Sequence, residues 1–166
     1  MTTTSAAVPS SLDQPYYGIG PVDAVKRFFQ KYSTFTGRAS RSEYWWVTLA
    51  FSIVYLILGV LAGILGAATS TVNAEGVTEP GVALAVPLVI GFIIGLAAIV
   101  PGIAVTVRRL HDANFSGLLY FINAVPYVGS FVILVLTIMP SNPAGARYDV
   151  GATTVVIPAP QAPPAV

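Results

Sequence analysis

Residues 45–68 read WWVTLAFSIVYLILGVLAGILGAA and contain no Asp, Glu, Lys, Arg or His. About 20 predominantly apolar residues suffice for a helix to cross the hydrocarbon core of a bilayer. The charge-free run continues to Val72. Two more follow, over residues 80–107 and over residues 113–148 apart from Arg147. These stretches predict an all-α integral membrane protein with three transmembrane helices, at about residues 45–68, 82–107 and 118–139. The intervening segment 69–81 is a short polar loop with Glu75 and Glu79 and no basic residue.

Composition agrees. Charged residues make up 9% of the chain and hydrophobic residues 55%, whereas soluble domains carry about 25% charge. Mean hydropathy is +0.76. A net charge of +1 offers no basic face for nucleic acid. Cysteine is absent and His111 is the single histidine, so thiolate chemistry and multi-histidine metal sites are excluded. No cofactor is expected.

Residues 1–20 are rich in Ser, Thr, Pro and Gly and are expected to be disordered. Their start lacks the basic and apolar regions of a signal peptide. Gly20 and Pro21 then mark a helix start, with proline at the first helical position. Val22, Val25, Phe28, Phe29 and Tyr32 recur at helical spacing, with Asp23, Lys26, Arg27, Gln30 and Lys31 mostly elsewhere. This predicts a short amphipathic helix at the membrane interface; the alternative is a helix packed on the rest of the protein. The membrane domain is set at residues 21–149, and the Pro/Ala-rich tail 150–166 is expected to be disordered.

Ser40 and Glu43 fit a capping box at the entry to the first span, and Tyr44, Trp45 and Trp46 form an interfacial aromatic belt. Gly59 and Gly63, and again Gly91 and Gly95, have the GxxxG spacing that lets helices approach closely. Pro87, Pro101 and Pro126 interrupt the second and third spans. Asp112, Asn114 or Ser116 is placed to cap the third, and Asn123 is a polar residue at membrane depth, suited to an interhelical hydrogen bond.

Lys26, Arg27, Lys31, Arg38 and Arg41 precede the first span, and Arg108 and Arg109 follow the second. With three spans, seven of the eight basic residues share one side and Arg147 stands alone on the other. The positive-inside rule then puts the N-terminus and the 108–116 loop in the cytoplasm, with the 69–81 loop and the C-terminus outside. A re-entrant third segment broken at Pro126 would instead return the tail to the cytoplasm.

Three motifs in order carry a family resemblance: FTGRASRSEYWW at residues 35–46, PGIAVTVRRLHD at 101–112 and PSNPAGARY at 140–148. The chain resembles, over roughly residues 25–149, the small bacterial inner-membrane family catalogued as domain of unknown function 805. It departs from that pattern at Leu118, where an aromatic is usual, at Ala146 in place of asparagine and at Asp149 in place of glycine. The resemblance implies a multi-pass protein of the bacterial cytoplasmic membrane and implies no activity.

Topology gathers Arg38, Arg41, Glu43, Arg108, Arg109, His111 and Asp112 at one membrane boundary. One reading is structural: Arg–carboxylate pairs staple the first span to the second. The other is an anion site, with arginines 38, 41, 108 and 109 holding a lipid phosphate beside Tyr44, Trp45 and Trp46. His111 and Asp112, adjacent on a helix, diverge by about 100° and make no ready catalytic dyad. The expected function is a non-enzymatic structural or interaction module whose partners are membrane lipid, a second copy or another membrane protein. The alternative is a subunit of a small oligomeric transporter or channel.

Overall fold

The computed structural model describes Leu12 and residues 14–151; the remainder of the two predicted disordered ends lies outside the described residues. Helix α1 (Pro21–Gln30) starts at Pro21 as expected. Helix α2 (Arg41–Ala68) and helix α3 (Ala85–Asp112) are 28 residues each, about 42 Å at 1.5 Å per residue. That exceeds the ~30 Å hydrocarbon core. Only 6% of the most apolar stretch of α2 and 11% of that of α3 are buried. A soluble protein hides its apolar helices; these present Leu56, Ile57, Phe92 and Ile93 outward, as lipid-facing helices do.

At the far end a small antiparallel hairpin, β1 (Thr71–Val72) with β2 (Thr78–Glu79), and a 3-10 turn over Val82–Leu84 join α2 to α3. Gly81 is required there: a Cβ would fall 2.4 Å or less from the Thr69 backbone. Of the two GxxxG pairs, Gly91 and Gly95 admit the Tyr55 ring from α2, whose hydroxyl donates to the Gly91 carbonyl at 3.1 Å. Gly59 and Gly63 face open space. Pro101 lies inside α3 and removes the N–H that would serve the Ala97 carbonyl. The Tyr32 hydroxyl donates to that carbonyl at 3.1 Å.

The third expected span is not one helix. Residues Gly117–Ala124 form a 3-10 helix, the chain turns at Pro126 and Tyr127, and α4 (Val128–Ile138) follows. Tyr127 takes a left-handed φ of 62° at the turn. The legs are about 16 Å each, from 2.0 Å per residue for the first and 1.5 Å for the second, so each is about half a bilayer core. The first leg begins, and the second ends, beside the C-terminal end of α3. A Cβ on Gly117 would meet Val107 and His111, and the Thr137 and Met139 carbonyls accept from Arg109. Gly129 seats the legs together, since a Cβ there would fall 1.9 Å from the Ile122 carbonyl oxygen. In place of a third long helix, the described residues show two helices of bilayer length and a hairpin whose legs are about 16 Å each.

A 3-10 segment at Pro143–Tyr148 packs on the end of α3, and Gly37 N–H donates to the Tyr148 carbonyl at 3.0 Å. The described chain thus finishes at the same end as α1, not at the opposite one. Residues 14–20, expected to be disordered, also pack there: Ile19 joins Ala24, Phe28, Ala39, Val47 and Val105 in the buried core. Phe28 meets Phe51 edge-on at 5.3 Å. α1 thus packs through Ala24 and Phe28 and leaves Val22, Phe29 and Tyr32 exposed.

Candidate functional site

The charges collect where α2 begins and α3 ends. Ser40 caps α2 by accepting from Glu43 N–H at 3.1 Å, and its own hydroxyl donates to the Tyr16 carbonyl at 2.6 Å. The expected capping box is only half made, because the Glu43 carboxylate turns to arginines instead. Its Oε1 lies 3.1 Å from Arg108 Nη1 and 3.7 Å from Arg27 Nε. Glu43, Arg108 and Arg27 are all buried. This ion triad ties α1, α2 and α3 together. Arg27 was not read as part of the cluster from the sequence; its signal is the spacing of Ala24, Arg27, Phe28 and Lys31, which places it on the packed face of α1.

A second network centres on Asp112. Arg109 Nη1 donates to its Oδ2 at 2.6 Å, Ser141 Oγ to the same oxygen at 2.5 Å, and Tyr17 Oη to Oδ1 at 2.8 Å. Arg38 Nη1 stands 3.9 Å from Oδ1. The remaining Arg109 donors reach the Thr137 and Met139 carbonyls, which the end of α4 leaves without helical partners. One guanidinium thus binds its own helix and clasps the hairpin. Arg38 makes a two-pronged pair with Asp149, both contacts at 2.7 Å. Asp149, a departure from the family pattern, therefore has a structural partner. That bond holds the Arg38 proton more firmly than usual. Burial, then the bond to Asp112, pushes the Tyr17 hydroxyl up to about 12.

His111 and Asp112 diverge as expected. The His111 ring stacks on Tyr148 at 4.0 Å, and its Nδ1 lies 3.1 Å from the Gly37 carbonyl oxygen. A carbonyl only accepts, so Nδ1 carries the proton. Arg147 covers the other partner of the stack, 4.7 Å from the Tyr148 ring centre, and donates to the Asn114 carbonyl. Asn114 itself has φ 67° and ends α3 in a Schellman turn: Phe115 N–H bonds the Leu110 carbonyl and Asn114 N–H that of His111. Ser116 is the residue that caps the next segment, accepting from Leu118 N–H at 3.3 Å.

The four arginines of the anion-site reading are not equivalent in the structure. Arg38, Arg108 and Arg109 are paired to carboxylates within the fold, whereas Arg41 is exposed, with no carboxylate or hydrogen-bond partner among the described residues. Tyr44 and Trp45 are half-buried and Trp46 is exposed. Asn123 sits near the hairpin turn, where its side chain has no hydrogen-bond partner among the described residues. Among these residues no three of His, Cys, Asp and Glu come together to hold a metal.

Apolar outward faces on two bilayer-length helices, closed at one end by a buried ion network, define a small helical membrane protein. The chain belongs to the family described as "Protein of unknown function (DUF805)", which it matches over residues 32–150. It is 33% identical over 119 residues to the inner membrane protein YhaI of Escherichia coli K12, covering 72% of this chain and 86% of that protein. It is 28% identical over 127 residues to the inner membrane protein YhaH of the same strain, covering 76% and 93%. No solved structure matches.

Proposed function

We propose that this protein is a non-enzymatic structural and interaction module of the inner membrane, with its charged end at the cytoplasmic surface. The observation that carries this reading is how the charged end is used. Its buried arginines neutralise internal carboxylates and cap the carbonyls of α4, so they fasten four segments together. With the hairpin folded back, all eight Lys and Arg residues stand at this end, while the far turn carries only Glu75 and Glu79. That asymmetry supports a cytoplasmic N-terminus and a cytoplasmic exit of the chain at Gly151. The third apolar segment is then a re-entrant hairpin entering from the cytoplasmic leaflet.

Partners of such a module are a second copy, another membrane protein or anionic lipid. Native mass spectrometry after extraction in mild detergent tests this. The expected result is a mass above the bare chain; recovery of a bare monomer alone would overturn it.

One observation favours the second reading, a subunit of a small oligomeric transporter or channel. The hairpin turn is irregular and Tyr127 is 91% exposed, and irregular backbone at membrane depth is tolerated where protein or a water-filled cavity covers it. Flux of ions into proteoliposomes, lost in Asn123→Leu, would support that reading. Absence of flux across a panel of ions would eliminate it.

A further inference from the structure

A groove of about 640 Å³ runs beside the start of α2, walled by Trp45, Trp46, Leu49 and Ile138, with Arg41 and Ser42 at its charged end. We propose that this groove holds an anionic phospholipid, with an acyl chain along the four apolar side chains and the headgroup phosphate on the Arg41 guanidinium. The proposal deepens the reading of the charged end as the cytoplasmic membrane surface, and rests on it.

Three features select this occupant. First, the groove is apolar along its walls and cationic at one end only, the polarity of a lipid entering from a leaflet. Second, Arg41 is the cluster's uncommitted cation. Arg38, Arg108 and Arg109 are bound to carboxylates, while Arg41 has no such partner among the described residues. A guanidinium presents a planar donor fork that fits phosphate oxygens. Third, the walls come from α2 and from the last residue of α4, which Arg109 holds in place through the Thr137 and Met139 carbonyls. The groove is therefore a product of the ion network behind it. A second copy docking this same patch by two-fold symmetry would add another Arg41 to the interface and no carboxylate from the groove lining to meet either. Phosphatidylcholine offers the same phosphate but sets a quaternary ammonium beside it, so its neutral headgroup gains less from Arg41 than a net-anionic one.

Trp45 and Trp46 are the only two tryptophans in the chain, so intrinsic fluorescence reports this groove. The full chain is reconstituted in phosphatidylcholine vesicles containing increasing fractions of brominated phosphatidylglycerol or brominated phosphatidylcholine. Brominated phosphatidylglycerol is expected to quench at about one fifth the mole fraction, the factor one basic residue contributes at an anionic surface. Arg41→Gln should remove the preference and Arg41→Lys should keep most of it. Lys26→Gln, at an exposed cation paired with Asp23, should leave it unchanged. Equal quenching by the two lipids, a choline preference, or a preference that survives Arg41→Gln would overturn the lipid site while leaving the membrane placement intact. Quenching by neither lipid would overturn the placement as well.

Discussion

Replacing Glu43 by Gln isolates the electrostatic role of the buried triad. The carboxylate is 1% exposed and faces Arg108 at 0% and Arg27 at 8%. The amide keeps an oxygen for Arg108, and Ser40 still caps the unchanged Glu43 backbone N–H, so helix initiation is untouched. What is lost is the single negative charge between two buried guanidinium groups. Removing one partner of a buried pair costs about 3–5 kcal/mol; the retained hydrogen bond puts Glu43→Gln at the low end, about 3 kcal/mol. For a chain of this size about 2–4 °C of melting temperature corresponds to each kcal/mol. A fall of roughly 6–12 °C is therefore expected. The assay is thermal unfolding in mild detergent, followed by the fluorescence of Trp45 and Trp46. Arg108→Met in the same background should recover part of the loss by removing one stranded cation, giving a coupling of about 2 kcal/mol. A shift within about 1 °C for the single variant, or strict additivity in the double variant, would refute the triad as a determinant of stability.

Arg109→Lys should free the end of α4, because the three donors of an ammonium radiate from one nitrogen and cannot span acceptors that the guanidinium reaches from Nε, Nη1 and Nη2. Hydrogen exchange across residues 134–139 should rise at least about tenfold, from the loss of charge-assisted bonds worth about 1.5–3 kcal/mol each; unchanged exchange would remove Arg109 from that role. Gly129→Ala should destabilise by about 1–3 kcal/mol through its clash with the Ile122 carbonyl, while Gly63→Ala, inside α2 with nothing within 4 Å, should melt at or slightly above the parent. Equal effects from the two variants would contradict the hairpin packing. Tyr17 is held protonated to about 12 when folded and to about 10 when unfolded. Its raised value means its contribution is complete below pH ~10 and is lost as pH rises through ~12. Stability of the parent should fall faster than that of Tyr17→Phe across this window, and parallel curves would exclude the effect.

The two long helices were legible because a charge-free run of bilayer length has few other uses. The entry cap at Ser40 was legible for the same local reason, a hydroxyl three residues before an available N–H. The hairpin was harder. Residues 118–139 have the length and polarity of a span, and apolar composition carries no information about depth. Pro126 is the one local mark, and proline is also tolerated inside membrane helices, as Pro101 shows. What folds the segment back is tertiary: Gly129 against Ile122, and Arg109 on the carbonyls of α4. The charged residues were read as one boundary cluster, with Arg–carboxylate pairs between the first two spans as one reading, and Glu43 with Arg108 is such a pair. Glu43 was expected to turn to its own backbone and instead faces Arg108 and Arg27. Arg41, grouped with the other arginines by spacing, is exposed and has no carboxylate or hydrogen-bond partner among the described residues. Tyr17 and Asp149 entered the site from segments whose composition signalled only irregular chain. Each of these differences is a choice among partners that only the packed helices determine.

The most direct test of the account is the side of the membrane on which residue 150 lies. The chain has no cysteine, so single cysteines introduced by Gln14→Cys, Glu75→Cys and Val150→Cys are unambiguous markers at exposed positions. A membrane-impermeant thiol reagent is applied to intact cells and then to permeabilised ones. Glu75→Cys should react in intact cells, and Gln14→Cys and Val150→Cys only after permeabilisation. If Val150→Cys reacts in intact cells together with Glu75→Cys, the third segment crosses the membrane and the re-entrant hairpin is contradicted.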